Sequence, residues 1–195
     1  MSNTSATGGY LLQTAASIDG LDLRRFLGAF IVGVSGLPAE YVRPAWQPNP
    51  APVPGIDVDW AAFGITNRRA DSDPYIEQNA DGRESTLSRQ EDLDILVTFY
   101  GPNCLDRAAQ FRDGTDLTQN TESLFLSGMG IADISDIVHA PELVNERWFD
   151  RCDLTLTIRR EIRREYRILN FVSAYGQIDA NRGTETLSRE WATAT

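Results

Sequence analysis

The chain of 195 residues contains no lysine: all 18 of its Lys and Arg positions are arginine. That absence excludes Schiff-base chemistry, a phosphate-binding loop with its lysine, and a lysine general base. It leaves arginine, which forks onto carboxylates and stacks on aromatics, as the sole cation for pairing. Histidine and cysteine are almost as scarce, with one His and two Cys. Cys104 and Cys152 make no disulfide framework and lack the close spacing of a metal site, so neither metal nor cofactor is expected. His139 stands in DIVHAPEL without a nucleophile motif beside it and reads as a loop residue. Cys104 falls in the first turn of a predicted helix, where a thiol pKa can fall, although packing is its commoner use. Gly-rich phosphate loops, HExxH and GxSxG are also missing, so a small hydrolase built on His139 and a carboxylate has no anchor, and the chain reads as a non-enzyme.

Long apolar runs are lacking too. FLGAFIVGVSGL is too short to cross a bilayer, and the opening MSNTSATGGY is polar and small, without a signal-peptide core. Such a chain is expected to be soluble and made in a reducing compartment. What is present is acid: 28 Asp and Glu give a net charge of −10. A balance of that sign opposes general affinity for phosphate backbones, which grows with the number of basic contacts. The hydrophobic fraction of 42% with four Trp is enough for a packed core in one domain.

Along the chain, residues 1–17 read as a mobile arm and 176–195 as a polar tail, with a single domain over 18–175. Leu23, Phe26, Leu27, Phe30, Ile31 and Val34 recur at helical spacing, with Asp19 and Asp22 at the start and Gly36 and Pro38 at the stop. The segment 44–54 has five prolines and suits an extended polyproline stretch with Trp46 as its anchor. Residues 58–68 read as a strand and 70–84 as a loop. In 87–101, Leu87, Arg89, Glu91, Leu93, Ile95, Val97 and Phe99 alternate onto one face of a central strand. Asn103, with Asp106 three residues on, predicts a capped helix, and 117–128 a second. Short extended pieces follow, then a long alternating strand from Trp148, then another strand over 166–176. The fold class is α+β, a mostly antiparallel sheet with helices packed on one face, in the order α-β-β-α-α-β-β.

The densest feature is IRREIRREYR (158–167), with Arg159, Arg160, Arg163, Arg164 and Arg167. As a strand, Arg159, Arg163 and Arg167 share a face with Glu161 and Glu165, and Arg160, Ile162, Arg164 and Tyr166 take the other. As a helix, Arg160 lies four residues from Arg164, and Glu161 three. Both leave the cations interleaved with carboxylates, a pattern that fits pairing across a protein interface better than a nucleic-acid stripe. Paired carboxylates at Asp57/Asp59, Asp92/Asp94 and Asp133/Asp136 read as solvated faces in so acidic a chain.

Three stretches are more specific. VRPAWQPNPAP followed by W-x-x-F, the strand ending in YGPN, and QN, PELVNERW and RCDLTLTIRR together resemble neck or tail-terminator proteins of tailed bacteriophages, over about residues 18–175. The resemblance implies a small α+β virion subunit at the head–tail junction. It would assemble with itself as a ring of six that caps the tail tube, meets a neck or head-completion protein, and lets DNA pass through its channel without specific binding. A head-completion or stopper protein on the capsid side is the alternative, and a DNA-binding module using 159–167 a more distant one. Ring closure needs two different complementary patches on each subunit. The arginine stretch is the candidate for one, and Glu91, Asp92 and Asp94 for the other, with Trp46 anchoring the proline segment.

Overall fold

The computed structural model describes residues 3–144, 146–169, 175–182 and 185–192. They divide into two compact units, a larger one from residues 17–74 and 89–162 and a smaller one from 1–16, 75–88 and 163–195.

The larger unit is built around helix α1 (Gly20–Ser35). Asp19 is its N-cap, accepting from the Gly20 amide at 2.8 Å, and Gly36 ends it in the left-handed region at φ 66° with its N–H on Val32 O. Glycine suits that φ because no Cβ meets the backbone. The helix buries Leu23, Leu27, Phe30, Ile31 and Val34, the face set by its periodicity. Such side chains each contribute about 1.5–3 kcal/mol on full burial.

Strand β1 (Ala15–Ala16) precedes the helix, and edge strand β2 (Val42–Pro44) follows it, parallel to β3 (Trp60–Ala70). Proline is tolerated at that edge, where its missing N–H interrupts no ladder. In the smaller unit, strand β4 (Tyr75–Gln78) occupies the stretch expected to be loop and pairs antiparallel with the first residues of β5 (Ser85–Tyr100). β3 pairs antiparallel with β5 from Trp60↔Tyr100 to Ala70↔Glu91, and stacks Trp60 on Tyr100 with centroids 4.2 Å apart. Helices α2 (Cys104–Thr115) and α3 (Thr118–Leu126) come next. Then follow β6 (Met129–Ile134), β7 (Val138–His139), the hairpin of β8 (Glu142–Val144) and β9 (Arg147–Phe149), and the long β10 (Arg151–Tyr166). Both β6 and β7 pair antiparallel with β10, which lies beside β5.

One hydrophobic core joins the parts of this unit. Leu93, Ile95, Val97 and Phe99 of β5 meet Cys152, Leu154, Leu156 and Ile158 of β10, and the buried faces of all three helices close over them. Phe111 bridges the helices and the sheet, 6.2 Å from Phe30 and 5.7 Å from Phe99. The α+β class and the mostly antiparallel sheet follow as expected, with additional short strands. Among the described residues no helix is long and apolar enough to cross a membrane.

Two expected boundaries shift. Trp148 belongs to the β8–β9 hairpin and is exposed, so the long strand starts at Arg151. Asn103 stands at the helix N-cap but makes no cap bond; its side chain and amide both turn to Asp59, at 3.1 Å each.

In the smaller unit, Ala15 and Ala16 pair with Glu165 and Arg164 at the end of β10. Residues 176–195, read as a polar tail, hold most of an antiparallel hairpin of β11 (Tyr175–Arg182) and β12 (Glu185–Ala192). Most of the strand expected over 166–176 lies outside the described residues.

Candidate functional site

The arginine stretch is a strand, and burial divides it. Toward the core, β10 continues Cys152, Leu154, Leu156, Ile158 with Arg160 and Ile162, all buried. An arginine in that row needs its charge matched, because an uncompensated buried charge is costly. Glu91 of β5, buried on the same side, supplies the match: Arg160 Nε and Nη2 reach its Oε2 at 2.8 and 2.7 Å. The third nitrogen, Nη1, donates to the Ile18 carbonyl at 2.6 Å, and Asp19 lies 3.6 Å from Nη2. All three guanidinium nitrogens therefore have partners, the condition under which a buried ion pair is tolerable.

The opposite face is partly solvated. There Arg159 reaches Asp92 at 3.3 Å and Asp71 at 3.4 Å, and Thr157 donates to Asp94 at 3.0 Å. The partners 157–94, 159–92 and 160–91 run in opposite senses, which makes β5 and β10 antiparallel here. Asp94 also accepts from Asn67 and from both terminal nitrogens of Arg69. Burial pushes its carboxyl up, but the hydrogen bonds from Thr157, Asn67 and Arg69 outweigh that and hold it below the usual range. So the structure brings Glu91, Asp92 and Asp94 together with Thr157, Arg159 and Arg160 within one chain.

Asp19 joins this lattice to the helix. Arg68 grips it with two nitrogens, at 2.7 and 3.2 Å, while it caps α1. The Arg68 hydrogen bonds, opposed by partial burial and aided by the Gly20 amide, bring its carboxyl down to about 2. Neither Arg68 nor Asp71 stood out in the sequence, because each partner lies tens of residues away.

In the smaller unit, Arg163 and Arg167 are exposed and Arg164 is half-buried opposite Ala16. Trp46, in the larger unit, has a positive φ of 55° and remains 69% exposed, with its ring over Gly64, where an added Cβ would sit 2.3 Å from it. Arg43 ties the proline segment back by donating to the Pro52 carbonyl at 2.6 Å.

The scarce residues converge as well. Cys104 and Cys152 are buried with Sγ atoms 2.9 Å apart, and His139 is the register partner of Cys152 across β7 and β10. Burial raises both thiols, Cys104 to about 12, so at the start of α2 desolvation outweighs the pull of the helix N-terminus. Burial thus agrees with packing, the commoner reading of Cys104.

A lattice of paired charges around an apolar core is structural in kind, and the comparison with known families agrees. A family model described as phage neck terminator protein matches residues 21–183, and the chain belongs to that family. Its role is structural, at the head–tail junction of the virion, in association with other neck and tail components. No curated protein matches the chain.

Proposed function

We propose that copies of this chain close into a ring, six to a ring, that terminates the tail tube and joins it to the neck, with DNA passing through the central channel. The observation that carries this reading is the family match over residues 21–183. Two features support the finer parts. A net charge of −10 suits a lumen that repels DNA instead of holding it. The arginines facing carboxylates on β5 are engaged inside the chain, which leaves no charge-pure stripe along 159–162 for a phosphate backbone.

The proposed division of labour is that Arg159 and Arg160, with Asp92 and Glu91, fix the strand pair, while Arg163, Arg164 and Arg167 meet the neighbouring subunit. Trp46, on the larger unit, is proposed as a separate apolar contact to a partner, as aromatic anchors commonly are. The test is native mass at moderate and low salt, followed by imaging of any closed oligomer for a central hole. Where the free protein is monomeric, it is mixed with tail tubes that present a template. A ring in either setting supports the reading. Failure to assemble in both, or tight DNA binding that falls steeply with salt, contradicts it.

A further inference from the structure

We propose that Cys104, Cys152 and His139 bind a divalent zinc ion, with Asp150 beside the imidazole, in a site that staples helix α2 to the β7–β10 edge of the sheet. Ligand atoms of the two cysteines and the histidine all lie within 4.8 Å of one another. His139 Nε2 is 3.5 Å from Asp150 Oδ1. A carboxylate beside a metal-binding imidazole is the usual device for fixing ring orientation.

Independent backbone ties hold the donors. The antiparallel register sets Cys152 opposite His139 on neighbouring strands, so their side chains leave the sheet on the same face. Ala140 N bonds to Arg151 O at 2.8 Å, on the two residues that follow His139 and precede Cys152. Cys104 is brought over by the turn at Gly101, whose φ of 108° is open to glycine and whose N–H bonds to Asp150 O at 3.2 Å. A Cβ at Gly101 would come within 2.6 Å of the Val58 carbonyl, so the turn admits no side chain.

The donor chemistry selects the ion. Two thiolates and an imidazole form a soft set that favours zinc over magnesium or calcium, which prefer oxygen. With the two sulfurs deprotonated, a divalent cation neutralises charge that the buried site otherwise cannot hold. Because zinc binds thiolates, metal uptake by the two cysteines is expected to release protons. The side chains of His139 and Asp150 are about half exposed, at 54% and 57%, and give the ion a path from solvent. Zinc prefers four tetrahedral ligands, and water completes the set. Opening the sulfurs to the spacing of such a set moves each by well under 1 Å, on the order of what Zn–S bonds of about 2.3 Å require.

The test uses the full chain, reduced and freed of metal, then titrated with zinc chloride or with cobalt(II). The expected result is one ion per chain, with a cobalt spectrum showing thiolate charge transfer and the intense visible bands of four-coordination. His139→Gln changes a half-exposed residue and preserves the fold, read by circular dichroism; it is expected to weaken binding at least tenfold. Asp150→Asn is expected to weaken it about 10–100-fold, the range for partners of a ligand. Cys104→Ser is expected to cut the thiolate band by at least half, because only Cys152 then supplies sulfur. The proposal is overturned by substoichiometric metal, by binding that His139→Gln leaves unchanged, or by a folded chain whose intact mass lacks two hydrogens, which would mean a Cys104–Cys152 disulfide instead.

Discussion

Arg159 and Arg160 are neighbours on one strand, identical in type, and each faces a carboxylate of β5. Arg160 is only 3% exposed and meets Glu91 inside the core, whereas Arg159 is 48% exposed and shares Asp92 and Asp71 with water. The pleat alone separates them, because successive residues of a strand point to opposite faces. The difference shows that a count of ion pairs says little about stability. What matters is what remains when one partner is removed: a solvated carboxylate on the Arg159 side, a stranded buried charge on the Arg160 side.

The largest expected effect follows from that contrast. Arg160→Ala leaves Glu91 buried without its partner and is expected to cost about 3–5 kcal/mol of unfolding free energy, measured by urea titration. The double change Arg160→Met with Glu91→Leu removes both charges at similar volume. It is expected to recover most of that loss, since apolar replacements of buried pairs are commonly neutral or stabilising. A double variant as unstable as the single one would mean that the bond from Arg160 to the Ile18 carbonyl, and not the charge pair, carries the effect.

Asp19 lies between the two extremes. Its folded pKa is held down to about 2, below its unfolded value, so its contribution is complete above the usual carboxylate range and is lost as pH falls toward about 2. Asp19→Asn is expected to remove on the order of 1 kcal/mol once solvent screening of this 42% exposed group is allowed for, and to flatten the acid limb of a stability-against-pH curve. An acid limb of unchanged slope in the variant would assign the low-pH loss to other carboxylates.

The smallest effect is expected at Arg159→Ala, at most about 1 kcal/mol and shrinking further in high salt. A loss comparable to that of Arg160→Ala would erase the distinction between the two faces.

Much of this fold was legible because its signals are local. The helical spacing of Leu23 to Val34 fixed the buried face of α1, and the alternation through Glu91, Leu93, Ile95, Val97 and Phe99 identified both the core face of β5 and the place of Glu91 on it. The arginine stretch was ambiguous between helix and strand because its charges satisfy either period. Only the partner strand decides, and Glu91 lies 69 residues from Arg160. Distance in sequence likewise concealed the Arg68–Asp19 pair and the meeting of Cys104 with Cys152, 48 residues apart. β4 and the β11–β12 hairpin were missed for another reason: their sequences are too polar to show the alternation that a buried face imposes.

In the proposed division of the arginine stretch, Arg163, Arg164 and Arg167 serve assembly and Arg159 and Arg160 serve the fold. The most direct test is sedimentation of the wild-type chain and of Arg163→Glu with Arg167→Glu, with and without tail tubes, alongside thermal melting of each. The expected result is a variant that melts with the wild type yet no longer forms the closed oligomer. A variant that assembles as the wild type does would contradict the assignment of these arginines to the subunit interface.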